Sequence, residues 1–148
     1  VAAVIGRITG VLVELRPPQI IVECNGVGYE IEAPMTTIWA LPEVNQRVSL
    51  YTHLAVREDA HLLYGFTTEA ERALFRSLLK VNGVGTKMAL VILSGMDAEA
   101  FALCVHGGDI ARLTALPGIG KKTAERLIVE MRDRVEAPGA RGHVPQPA

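Results

Sequence analysis

Up to Phe66 the chain alternates short apolar runs, rich in β-branched residues, with turn signals, and beyond Gly65 the apolar positions recur with the period of a helix. The first pattern predicts strands over Ile8–Leu15, Gln19–Cys24, Val27–Ala33, Arg47–Leu54 and His61–Phe66, with a brief helical stretch near Thr36–Leu41. Asn25-Gly26 is the strongest turn signal, because a two-residue type I′ turn needs positive φ at both positions and these two residues supply it. Pro17-Pro18 marks another tight reversal. Five short strands in so short a segment predict a small closed or partly closed β-barrel.

In the helical part, Thr68 and Glu71 form a capping box, with Leu74, Phe75, Leu78 and Leu79 along one face behind it. Asp97 and Asp109 are N-caps for two further helices. Ala124, Leu127, Ile128, Met131 and Val135 form the apolar stripe of a last one. After Glu136 the run Ala-Pro-Gly-Ala-Arg-Gly-His-Val-Pro-Gln-Pro-Ala has no period and reads as a flexible linker, 137–148, which suggests a longer natural protein. The expected organisation is thus a barrel over 1–66, a helical domain over 67–136 and a linker.

Charge follows the same division. Residues 1–66 hold four basic against seven acidic residues, net −3, and residues 67–148 hold 11 against 9, net +2, so a polyanion is expected on the second half. The longest apolar stretch, Met88–Met96, is far too short to span a bilayer. Val1–Ile5 meets Arg7 at once and is no secretory signal, so a cytoplasmic location with no membrane role is expected. Cys24 and Cys104 lack a second Cys or His at ligand spacing, which predicts neither a disulfide scaffold nor a metal site.

The most informative feature is an internal repeat. Leu78–Ala89 matches Leu113–Ala124 at a constant offset of 35, with both glycines, a Lys and an Ala in register. In each copy, Gly83-Val84-Gly85-Thr86-Lys87 and Gly118-Ile119-Gly120-Lys121-Lys122, an apolar side chain plugs inward between two glycines that let a ligand approach the backbone. The next helix then starts with unpaired N–H groups and the positive end of its dipole. The result is an anion site made of backbone, with Lys87 or Lys121 and Lys122 beside it and no side chain to read bases. Gly26-Val27-Gly28 has the same spelling inside a β-hairpin with no helix after it, and is structural. Two copies between helices, each followed by Lys, form the tandem helix-hairpin-helix pattern of proteins that grip duplex DNA through its backbone.

The run Leu116–Arg134, together with Val56–Phe66, Asn82–Gly85 and Ile5–Gly10, resembles the RuvA family of bacterial Holliday junction branch-migration subunits over roughly residues 4–135. The resemblance implies an oligonucleotide-binding (OB) type barrel used for assembly and tandem hairpins that bind DNA. It implies a homotetramer, alone or as two tetramers face to face, that holds a four-way junction open and square-planar in recombination and repair. It adds Arg126 to the DNA-binding residues. It makes Glu58 and Asp59 an acidic pin at the crossover, where the residues alone read as a solvated turn. It also implies a third domain, beyond this chain, that docks a RuvB-type hexameric ATPase, with a RuvC-type junction resolvase as a further partner. Thr86 stands where many relatives have Pro, and is expected to cap the following helix.

Catalysis is not expected. Helix-hairpin-helix glycosylases aim a carboxylate at a flipped nucleotide, but Asp133 lies late on a charged helix face between Arg132 and Arg134. His53, His61 and His106 have no partner at catalytic spacing, and no phosphate-binding loop or paired-carboxylate metal site is present, so no cofactor and no nuclease or ATPase activity is expected. The acidic barrel, with Tyr29, Trp39, Tyr51 and Tyr64 as core or interface residues, does not resemble a single-strand-binding groove. A glycosylase-like repair enzyme and a generic duplex-binding module stand as the alternatives.

Overall fold

A computed structural model describes residues 4–135, so the linker expected over 137–148 lies outside the described residues. Five strands, β1 (Arg7–Arg16), β2 (Gln19–Cys24), β3 (Val27–Glu32), β4 (Arg47–Val56) and β5 (His61–Phe66), close into a barrel in the order β1-β2-β3-β5-β4. Short helix α1 (Met35–Trp39) lies between β3 and β4. A helical tandem follows: α2 (Glu69–Leu79), α3 (Thr86–Gly95), α4 (Ala98–Gly107), α5 (Ile110–Thr114) and α6 (Lys121–Met131). This is an OB-like barrel followed by helix-hairpin-helix elements.

The barrel closes because β1 is long enough to serve two neighbours. Its first half pairs with β4 and its second with β2, and Val11 faces both Arg47 and Glu23. A bulge between Leu12 and Glu14 bends the strand where it changes partners. Closure on the far side rests on a parallel pairing of Glu32 with Tyr64. Alternation then puts Ile8, Leu12, Ile20, Val22, Ile31 and Leu50 inside. At the β2–β3 hairpin Asn25 and Gly26 adopt φ 49° and 88°, as a type I′ turn requires.

Compact packing divides the chain after Arg76, into Val1–Arg76 and Ser77–Ala148, ten residues beyond the change of period at 66/67. The reason lies in α2. Its early turns pack on the barrel, with the Phe75 ring 5.0 Å from Phe66 and 5.1 Å from Tyr64. Arg72 lies over the Tyr51 ring and donates to the Gly6 carbonyl, and Arg76 Nε donates to His53 Nδ1 at 3.1 Å. The Thr68 hydroxyl accepts from the Glu71 amide at 3.2 Å, so the cap forms at the expected residue, while the Glu71 carboxylate accepts from Thr36.

In the second unit Asp97 and Asp109 cap α4 and α5 by accepting from the amides of Ala100 and Arg112. Leu78, Val81, Phe101, Leu113, Leu127 and Met131 are among its buried core residues. The regular helix α6 ends at Met131, one turn short of Val135, whose carbonyl instead meets His106 Nε2 at 2.8 Å. Among the described residues no single helix is long and apolar enough to cross a membrane.

Candidate nucleic-acid interface

The two repeat copies form nearly identical backbone turns. In the first, Val81 N–H bonds Leu78 O at 3.0 Å, Val84 N–H bonds Val81 O at 3.1 Å and Ala89 N–H bonds Gly85 O at 3.0 Å. In the second, Leu116, Ile119 and Ala124 donate to Leu113, Leu116 and Gly120 at 3.1, 3.2 and 3.0 Å. The leading glycine is left-handed in both, φ 89° at Gly83 and 79° at Gly118, a conformation that opposes a Cβ. The trailing glycines, Gly85 and Gly120, are extended N-caps without a side-chain cap bond.

Each feature serves the next. The left-handed glycine reverses the chain, which drops Val84 or Ile119 into the core at 7% and 5% exposure. Burying such a side chain contributes about 2 kcal/mol and pins the turn from below. The extended glycine then starts a helix whose first-turn amides precede the ladder, and the glycine itself supplies no side-chain cap bond. Those amides and the helix dipole face a surface with no β-carbon at Gly85, Gly118 or Gly120, and among the described residues no heavy atom beyond the chain neighbours lies within 4 Å of where one would stand. The dipole favours a negative group there.

Lys87, Lys121 and Lys122 are exposed, and among the described residues none is held in an ion pair. Thr86 is the first residue of α3, and the cap position is Gly85, which corrects the expectation that Thr86 caps the helix. A first helical position is also one that suits Pro, whose missing N–H would have no acceptor in the helix. Arg126, on α6, donates from Nη1 to the Asn82 carbonyl at 3.1 Å and so reaches the first hairpin. Asn82 was not a candidate from sequence; it acts through its carbonyl, which side-chain identity does not advertise.

Glu58 and Asp59 belong to the first unit, exposed at the tip of the β4–β5 hairpin. The tip is closed by Arg57 N–H on Ala60 O at 2.8 Å, and neither carboxylate is in an ion pair among the described residues. Tyr64 is buried and Tyr29 and Tyr51 are half-buried, whereas Trp39 is 72% exposed and so is not a core residue. Asp133 is exposed beyond the end of α6. His53 is held below its ordinary pKa, first by burial and then by the positive charges of Arg76 and Arg72. Burial raises the Cys104 thiol above its usual range. Among the described residues no group of three or more His, Cys, Asp or Glu is placed to hold a metal ion.

Comparison with known proteins agrees with this geometry. Residues 5–65 match the family model described as RuvA N terminal domain, and residues 75–133 match the SAM-like Helix-hairpin-helix tandem. A curated protein of Thioalkalivibrio sulfidiphilus, named Holliday junction branch migration complex subunit RuvA, is 64% identical over 131 residues, covering 88% of this chain and 65% of its own length. The chain belongs to the RuvA family. Other RuvA proteins agree: that of Colwellia psychrerythraea is 59% identical over 89% of this chain and 63% of its own, and that of Nitrosococcus oceani 61% over 88% and 66%. The chain therefore spans just under two thirds of the length of these RuvA relatives.

Proposed function

We propose that this chain binds four-way DNA junctions as a homotetramer and holds their arms open, in a square plane, for branch migration in recombination and repair. The observation that carries the reading is the pair of matching hairpins, each offering backbone amides, a helix N-terminus and lysines on a surface cleared of β-carbons. Such a surface suits phosphate and ignores base identity. The relatives' name, a subunit of a Holliday junction branch migration complex, supports the junction as the DNA concerned.

In this reading the barrel, 1–66, assembles the tetramer, singly or as two face to face, and the hairpin domain, 67–136, grips the arms through Gly83–Lys87, Gly118–Lys122 and Arg126. Glu58 and Asp59 form a pin near the crossover, where four pairs of carboxylates repel phosphates and keep the arms apart. The subunit itself is non-catalytic and needs no cofactor. Movement comes from a RuvB-type hexameric ATPase docked on a third domain, with a RuvC-type resolvase as a later partner. The role places the protein with the chromosome, in the bacterial cytoplasm.

Native mass measurement with and without a synthetic four-way junction, beside incubation with linear, nicked and lesioned duplexes, tests the reading. The expected result is four or eight protomers per junction, strong preference over linear duplex and no covalent change in any DNA. Equal binding to linear duplex, or strand or base cleavage, overturns it.

A further inference from the structure

The repeat is not symmetric in its side chains. At the offset of 35, Arg126 corresponds to Val91, whose side chain has no donor, so only one copy carries a donor at this position. Arg126 does reach across: Nη1 donates to Asn82 O at 3.1 Å, and the same nitrogen lies 3.3 Å from where a β-carbon on Gly83 would stand. Among the described residues no heavy atom beyond the chain neighbours comes within 4 Å of the same point on Gly118 in the second turn.

The positive charges are also placed differently in the two copies. After its second glycine the first copy continues Thr86-Lys87 and the second Lys121-Lys122, one lysine against two. Ahead of the turn the first copy has Lys80 where the second has Ala115, and the Arg126 guanidinium adds a cation directly beside Gly83. Arginine suits the task because its planar fork has five N–H donors, so one can hold a carbonyl while the others remain for an anion.

We infer that Arg126 is a positioning residue of the first hairpin, although the second hairpin's helix carries it: it braces the carbonyl that precedes Gly83 and brings a positive charge directly beside that turn. The inference rests on the reading that the hairpins hold DNA phosphate. Its brace, however, is a property of the free protein.

Two measurements on the full chain test it. In the free protein, Arg126→Gln should speed amide exchange across residues 82–87 several-fold and leave 117–122 unchanged; unchanged exchange at 82–87 overturns the brace. With a four-way junction, Arg126→Gln should weaken binding several-fold, and most of that loss should vanish when Lys87→Ala is already present while adding in full to Lys122→Ala. Coupling to Lys122 in place of Lys87 assigns the charge to the second hairpin and overturns the inference. If Lys87→Ala, Lys122→Ala and Arg126→Gln all leave junction binding intact, the phosphate reading fails, and the exchange result still decides the brace on its own.

Discussion

The tetrapeptide Asn-Gly-Val-Gly occurs twice, at 25–28 in the barrel and at 82–85 in the helical unit, and the two copies have different fates. Their leading glycines are nearly superimposable in φ, 88° at Gly26 and 89° at Gly83. There the likeness stops. Asn25 is also left-handed and Val27 is 53% exposed, while Val84 is buried. After the first copy the chain enters the β2–β3 ladder, with Val27 opposite Cys24 and Gly28 opposite Glu23. After the second it starts a helix whose first-turn amides lie outside the helical ladder. The four residues set a left-handed glycine, and the period of the flanking apolar positions decides whether the next donors are consumed or offered.

The largest expected effect separates the two contexts directly. Gly118→Val places a β-branched residue at φ 79°, where an L residue costs roughly 1–2 kcal/mol, and puts its methyl groups on the surface proposed to meet phosphate. Junction binding should fall about tenfold or more, beyond what the stability loss explains. Gly26→Val, at the matching φ in the barrel, should lower the unfolding midpoint without weakening the junction affinity of the protein that remains folded. Titrations of both variants beside denaturation curves check this; equal losses of binding would erase the distinction.

Neutralising the barrel's exposed turn should act in the opposite direction. Glu58→Gln combined with Asp59→Asn should leave the proposed tetramer intact and tighten junction binding several-fold at low salt, with little change for linear duplex, because two negative charges per subunit no longer oppose gathered phosphates. A tetrameric double variant that binds junctions no better than the parent returns these residues to a solvated turn. A smaller effect is expected of Lys122→Ala, which should reduce the slope of log affinity against log salt by about 1 and leave the indifference to arm sequence unchanged.

The smallest effect belongs to the barrel alone. Burial and two arginines lower the pKa of His53 in the folded state, so the unfolded chain binds its proton more readily. Stability should therefore be fully present above about 6.5, the ordinary histidine value, and decline as pH falls through that value toward the lowered folded pKa. Thermal melts from pH 7 to 5 should show a loss that His53→Phe abolishes. A loss of the same size in that variant would assign it elsewhere.

Local signals were the legible part. Gln19–Cys24 and His61–Phe66 are bounded by turn residues and form strands over the expected ranges. β4 runs two residues past Leu54 because Ala55 and Val56 pair with Leu62 and His61, and pairing across a hairpin leaves little mark on one strand's own alternation. The Glu32–Tyr64 closure joins segments distant in sequence, so no local pattern announces it. For α2 the apolar stripe was legible but not its partner, since Phe75 would be equally apolar against either unit. The repeat revealed both hairpins, whereas the bridge from Arg126 to Asn82 spans 44 positions and ends on a carbonyl.

That the hairpins offer main-chain groups bears on how such a surface drifts and how it is mapped. Alanine substitution leaves an amide where it was, so a conventional scan would score most of the turn as tolerant and credit the lysines alone. Selection for loss of binding should instead collect branched residues at Gly83 and Gly118, and proline at Lys122, whose amide it deletes. The same insensitivity explains how two copies with Asn82 against Pro117, and Thr86 against Lys121, keep one geometry: what is preserved is a path of the chain, which many sequences can trace.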